Sequence, residues 1–167
     1  MLCLVVFAAM AMGSGTDTSV DNSNASGASN ETSTETDNVV NVGGSFEKNG
    51  LKCTVDDADT EFTDYDDPYG FYKPHDGKKY VKADFTFENN GKSDAYVSSL
   101  DFDCFADDES CDQSYMESVN EFSGDTLSTG RKVSFSVLFE VPENAESIEL
   151  EYTTNIWTSE KIIIKLQ

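Results

Sequence analysis

The sequence has few basic residues: 11 Lys and Arg stand against 32 Asp and Glu, for a formal net charge of −21. That scarcity excludes the clustered cations that phosphate backbones require, so nucleic acid is not an expected partner. It equally excludes attachment by charge to an anionic membrane surface. Histidine is almost missing, His75 being the one imidazole, and no Cys-x-x-Cys spacing occurs, so a zinc site is not expected. Counted from Leu2, the longest uninterrupted apolar run is eleven residues, and a membrane-spanning helix needs about 20. Helical periodicity is also lacking. A serine nucleophile needs a paired base, and His75, alone in the loop PYGFYKPHDG, specifies none. Carboxylate pairs suited to glycoside cleavage arise anywhere in so acidic a chain and mark nothing. The expectation is no enzyme and no cofactor.

What is present begins with Leu2–Met12, the eleven-residue apolar run. Its length is that of a signal-peptide apolar region, and Ala9-Met10-Ala11 supplies small residues at cleavage spacing. No Lys or Arg precedes it; the competing assignment is a buried N-terminal strand. From Gly13 to about Gly44 follows a tract dominated by Ser, Thr, Asn, Asp and Gly, with no Lys, Arg or aromatic residue. Such a segment buries too little apolar area to offset its ordering entropy and reads as a disordered tether. The expected organisation is a signal-like segment at 1–13, a linker at 14–44 and one domain at 45–167. Signal, tether and domain is the layout of an exported surface protein, extracellular or in the cell envelope. A lipid-anchored version would carry an acylated cysteine where Ser14 stands, and Cys3 lies too early to serve.

Within the domain, hydrophobicity has period two. Val81, Ala83, Phe85 and Phe87 alternate with polar residues, and Val133, Phe135, Val137, Phe139 and Val141 alternate with Lys132, Ser134, Ser136 and an outward Glu140. Ile148/Leu150/Tyr152, Leu51/Cys53/Val55, Leu100/Phe102/Cys104 and Ile162/Ile164/Leu166 repeat the pattern. Turn signals separate them, among them Lys48-Asn49-Gly50, Asn89-Asn90-Gly91 and Ser128-Thr129-Gly130. The predicted fold is an all-β, immunoglobulin-like antiparallel β-sandwich of about 7–9 strands, with an antiparallel barrel as the alternative.

The stretch DCFADDESCD predicts a hairpin with Asp107-Asp108 at its turn, which sets Cys104 opposite Cys111. Directly opposed residues approach disulfide reach, so a Cys104–Cys111 bond is expected, leaving Cys53 reduced. A Cys53–Cys104 bond between inward-facing positions is the alternative.

Three stretches carry a family resemblance: GSFEKNGLKCTVDDAD, KKYVKADFTFENNGKSDAYVSSLDFDCFADDESCDQ and LSTGRKVSFSVLFEVPENAESIELEY. Together, over Gly43 to Leu166, they resemble an immunoglobulin-like domain of unknown function. That family occurs in secreted, commonly lipid-anchored proteins of Gram-positive bacteria, and it is distantly similar to a secreted mycobacterial antigen. The resemblance implies the sandwich and an exported location; it brings no catalytic residues.

Recognition of an extracellular protein or glycan is the expected function, by a monomer. The candidate binding residues are Tyr65, Tyr69, Phe71 and Tyr72, crowded into the loop from Asp64 to Gly77. Aromatic side chains on a loop of a rigid sandwich give large contact area, though the same rings would also serve to close one end of the core. A passive spacer domain, needing no site, is the alternative. The clusters Asp56/Asp57/Asp59, Asp64/Asp66/Asp67 and Asp107/Asp108/Glu109 offer oxygen ligands of the kind calcium takes. None fits a twelve-residue calcium loop, and no metal site is expected from them.

Overall fold

The structure, a computed structural model, describes residues 38–155 and 160–167. The signal-like segment and the linker up to residue 37 lie outside the described residues. Eleven strands form where the period-two runs predict, with short additions at the edges: β1 (Val39–Asn41), β2 (Ser45–Lys48), β3 (Leu51–Phe62), β4 (Lys78–Asn89), β5 (Ala95–Ser98), β6 (Phe102–Ala106), β7 (Glu109–Ser114), β8 (Gly124–Leu127), β9 (Lys132–Pro142), β10 (Ile148–Asn155) and β11 (Glu160–Lys165). One helical turn, α1 (Glu117–Asn120), interrupts them. The count exceeds the expected 7–9 because β1, β2, β5 and β8 have only three or four residues each. Segments so short carry almost no periodic signal.

Two layers result. One has the order β1-β11-β10-β6-β7 and the other β7-β9-β4-β3-β2, with β7 shared, while β5 and β8 pair separately. All pairings are antiparallel except β1 with β11. The sequence placed the domain start at Ser45, but β1 lies inside the expected linker and pairs Val39 with Ile163. Gly43, at φ +82°, then helps take the chain across to the other layer, where its N–H donates to Val55 O at 2.8 Å. Val39-Val40-Asn41 is too short to show strand alternation, and its parallel partner lies at the other end of the chain.

Between the layers the inward faces meet. Phe85 of β4 stands 4.5 Å, centroid to centroid, from Phe102 of β6, and Phe87 of β4, stacked within its own layer on Phe135 of β9 at 5.6 Å, lies 5.4 Å from Tyr152 of β10. Tyr152 of β10 reaches Phe46 of β2 at 5.6 Å, closing one edge. These contacts make the molecule a β-sandwich. Leu100 departs from the pattern. It sits in a 3₁₀ turn at Ser99–Asp101 and is exposed, because the Ser98 hydroxyl accepts its N–H and starts the turn before the strand begins.

A second, smaller core covers the outer face of β4 and β9. Phe62, Tyr80, Met116 and Leu138 are buried there, with Tyr65 and Val119 packed against them. This outer cluster corrects the placing of Glu140, which points away from the main core yet is only 5% exposed. The chain following β3 passes over it.

Candidate functional site

The segment between β3 and β4 contains all four aromatic candidates, and the structure divides them. Tyr65 is half-buried, 6.1 Å from Phe62 and edge-on to Tyr80 at 5.6 Å. It completes the outer core. Tyr69 and Phe71 are each 80% exposed, with ring centroids 6.0 Å apart and planes tilted by 36°. Tyr72 lies between these extremes.

Two carboxylates give the segment its shape. Asp67 accepts the Phe71 N–H at 2.8 Å and the Tyr72 N–H at 2.9 Å, while its carbonyl accepts the Gly70 N–H. Gly70 adopts φ +71°, which a side chain rarely tolerates. Pro68 and Pro74 restrict the chain on either side. The partial desolvation of Asp67 acts upward on its carboxyl, but the N–H groups of Tyr72, Phe71 and Gly70 and the nearby Lys73 hold it below the usual carboxylate range.

At the base, Glu140 of β9 grips His75 twice. The His75 N–H donates to Oε1 at 2.7 Å, and the ring Nδ1 lies 2.7 Å from Oε2. Burial pushes the Glu140 carboxyl up, and the ring and backbone bonds of His75 with the charge of Lys78 outweigh it and hold the group low. The return into β4 is fixed by Lys78 N–H to His75 O at 2.9 Å and Glu143 N–H to Gly77 O at 2.9 Å. The His75 side chain is 85% exposed. An imidazole oriented by a carboxylate is half of a nucleophile-activating set, but among the described residues no hydroxyl or thiol is hydrogen-bonded to His75.

Sequence reasoning missed Glu140 and the capping role of Asp67. The signal for Glu140 was a lone acid in the apolar stretch Leu138-Phe139-Glu140-Val141, whose polar alternate the pattern assigned to solvent. Among the described residues no group of three acidic, His or Cys side chains is arranged to hold a metal ion. In each of the three acidic clusters a carboxylate is occupied with backbone, Asp59 accepting the Glu61 N–H at 2.9 Å. Asp107, like Asp67, caps a turn: it accepts the N–H groups of Glu146 and Ser147 at 3.0 and 2.9 Å.

The expected Cys104–Cys111 disulfide is not formed in the structure, where Cys53, Cys104 and Cys111 are free thiols. The hairpin itself forms as expected, with Cys104 directly opposite Cys111. The alternative bond to Cys53 is not formed either.

A groove of about 530 Å³ opens at the β2 edge, lined by Phe46, Leu51, Tyr96, Asp101 and Tyr152 with Lys48 at its rim. Lys48 is already paired with Glu160 at 2.5 Å. Desolvation holds the Asp101 carboxyl above its usual range, against a backbone hydrogen bond from Ser98.

A family described as a domain of unknown function, DUF4352, matches residues 40–162. The chain belongs to that family. In three dimensions this DUF4352 domain is similar to the yjhA protein of Bacillus subtilis, at 20% identity, with a TM-score of 0.58 over 77% of this chain and 99% of that one. It is similar to the ycdA protein of the same organism, provisionally named a lipoprotein, at 19% identity and a TM-score of 0.57 over 74% of this chain. The chain spans 38% of the length of ycdA. The secreted protein MPT63 of Mycobacterium tuberculosis matches at 12% identity and a TM-score of 0.54, over 77% of this chain and 95% of that one. Identities this low establish the shared fold. No curated protein matches the chain in sequence.

Proposed function

We propose that this DUF4352 domain is an exported, non-enzymatic recognition module whose contact surface is the Tyr69–Phe71 tip. One observation carries the reading: two large rings stand in solvent on a segment held by Asp67 at the tip and Glu140 at the base. Exposing a Tyr and a Phe side by side leaves apolar area unburied, and prior ordering of the segment lowers the entropy cost of binding through it. Tyrosine is also among the residues that dominate interface energies. The partner is an extracellular glycan or protein, since rings in this setting stack on sugar faces or fill apolar hollows equally well. Export is supported by the apolar run at Leu2–Met12 and by a fold shared with a secreted protein.

The test compares the protein with its Tyr69→Ala/Phe71→Ala double variant on immobilised cell-envelope polysaccharides and extracellular proteins. Binding should weaken by roughly tenfold or more, equivalent to about 1.4 kcal/mol, with no change in the unfolding midpoint. Equal binding by both forms would leave the spacer role in its place.

A further inference from the structure

The β6–β7 hairpin places two thiols opposite each other at the one strand shared by both layers. β7 pairs with β6 from Glu109 through Cys111, then with β9 from Asp112 through Ser114. Cys111 is therefore the last residue held by the first layer. We propose that Cys104 and Cys111 are a site of oxidative modification, closing to a cystine that locks the corner where β7 changes layers.

Register comes first. The turn is two residues long, and Asp107 and Asp108 both adopt positive φ, 51° and 68°. That is the signature of the type I′ turn, which fixes hairpin pairing. Asp107 is further tied to the β9–β10 connection, its N–H donating to Ser147 O at 3.1 Å and its carboxylate accepting from Glu146 and Ser147. A slip that would separate the two cysteines must break all of these bonds.

Distance comes second. Directly opposed residues hold their Cβ atoms about 4.5–5.5 Å apart, whereas a cystine needs roughly 3.5–4.5 Å. The strands must therefore approach by up to about an ångström. The β6 ladder ends at Cys111, and from Asp112 the strand is held by β9 instead, so the approach works against that pairing alone on this side.

Access comes third. Cys104 is buried and Cys111 is partly exposed, so an oxidant meets Cys111 first. Burial pushes both thiols up, and Cys104 is raised further by its neighbour Cys111. Cys53 is in a different situation. It is fully buried on β3, with Phe46 and Phe87 as its register partners and its thiol directed at the Thr54 carbonyl. No cysteine opposes it.

The oxidant is a low-molecular-weight or protein disulfide. The Cys111 thiolate attacks one of its sulfurs, forming a mixed disulfide and releasing one thiolate. The Cys104 thiolate then attacks the Cys111 sulfur, forming the Sγ–Sγ bond and releasing the second. Two electrons pass to the carrier, and the two cysteine protons end on it as two thiols.

The experiment uses the full chain carrying Cys3→Ser, so that Cys53, Cys104 and Cys111 are its only thiols. The reduced protein is equilibrated with oxidised glutathione, its free thiols are alkylated after denaturation, and it is digested without reductant. The expected result is a peptide linked through Cys104 and Cys111, with alkylated Cys53 and no bound glutathione. Persistent thiols at Cys104 and Cys111, a stable glutathione adduct on Cys111, or a Cys53–Cys104 link would each overturn the proposal. The locking is read separately, by hydrogen exchange at the amides of Asp112–Ser114. Exchange there should slow on oxidation and recover with dithiothreitol, and unchanged exchange would refute the lock.

Discussion

Phe87 and Phe71 are the same residue type sixteen positions apart, and the molecule treats them oppositely. Phe87 lies on the inward face of β4, fully buried and stacked against Phe135. Phe71 stands in solvent at the tip of the segment leading into β4. Strand alternation decides the first, since every second residue of a half-buried strand must face the core. Nothing periodic decides the second. Its position comes from a carboxylate that captures its N–H and from a proline on either side of the tip. Burial follows a repeating pattern, whereas deliberate exposure follows individual polar contacts.

The sharpest way to break this contrast is to truncate both rings. Phe87→Ala should destabilise the domain by about 3–5 kcal/mol in denaturant unfolding, the usual cost of an emptied buried phenylalanine site. A loss below about 1 kcal/mol would mean that the stacked cluster is not the core. Glu140→Ala ranks next. It removes both bonds to His75 from a buried site, and a loss of about 1–3 kcal/mol is expected, with faster proteolytic nicking at residues 64–77. Nicking at the wild-type rate would show that the outer aromatic cluster alone holds the segment. Phe71→Ala should cost about 0.5 kcal/mol or less, as exposed substitutions do. A penalty of several kcal/mol would make this ring part of the core and remove the recognition surface.

The smallest effect is a pH dependence. Glu140 and Asp67 hold their protons less tightly in the folded protein than when unfolded, mainly through bonds from His75 and from the Tyr72 and Phe71 N–H groups working against desolvation. Their contribution is thus complete above the unfolded carboxyl range, near pH 4, and is lost as pH falls through the lower folded values. Acid titration of Glu140→Gln should show a shallower decline below about pH 4 than wild type. An identical acid limb would mean that the His75 grip does not bias the Glu140 proton.

Much of the sandwich is legible in the sequence. The Val81–Phe87 and Val133–Val141 alternations fixed two central strands, and Asp107-Asp108 marked the hairpin turn that brings Cys104 to Cys111. β1 was not legible, because Val39-Val40-Asn41 is too short to show alternation and pairs in parallel with β11, more than 120 positions away. Glu140 was misread for a related reason. Strand parity tells which face a side chain occupies, but not whether something else covers that face. The loop was recognised as unusual from its aromatic content, yet content could not separate Tyr65, which packs on Tyr80, from Tyr69 and Phe71, which pack on each other.

The sequence by itself determined the all-β class, the inward rows of β4, β9 and β10 and the acidic surface. These depend on local periodicity and composition, which each residue carries wherever the chain goes. Only the tertiary structure decided that β7 serves two layers, that a covered Glu140 holds His75, and that two of four clustered rings remain in solvent. Each depends on contacts between residues distant in sequence, 65 positions apart for His75 and Glu140, and no local pattern encodes where such partners meet.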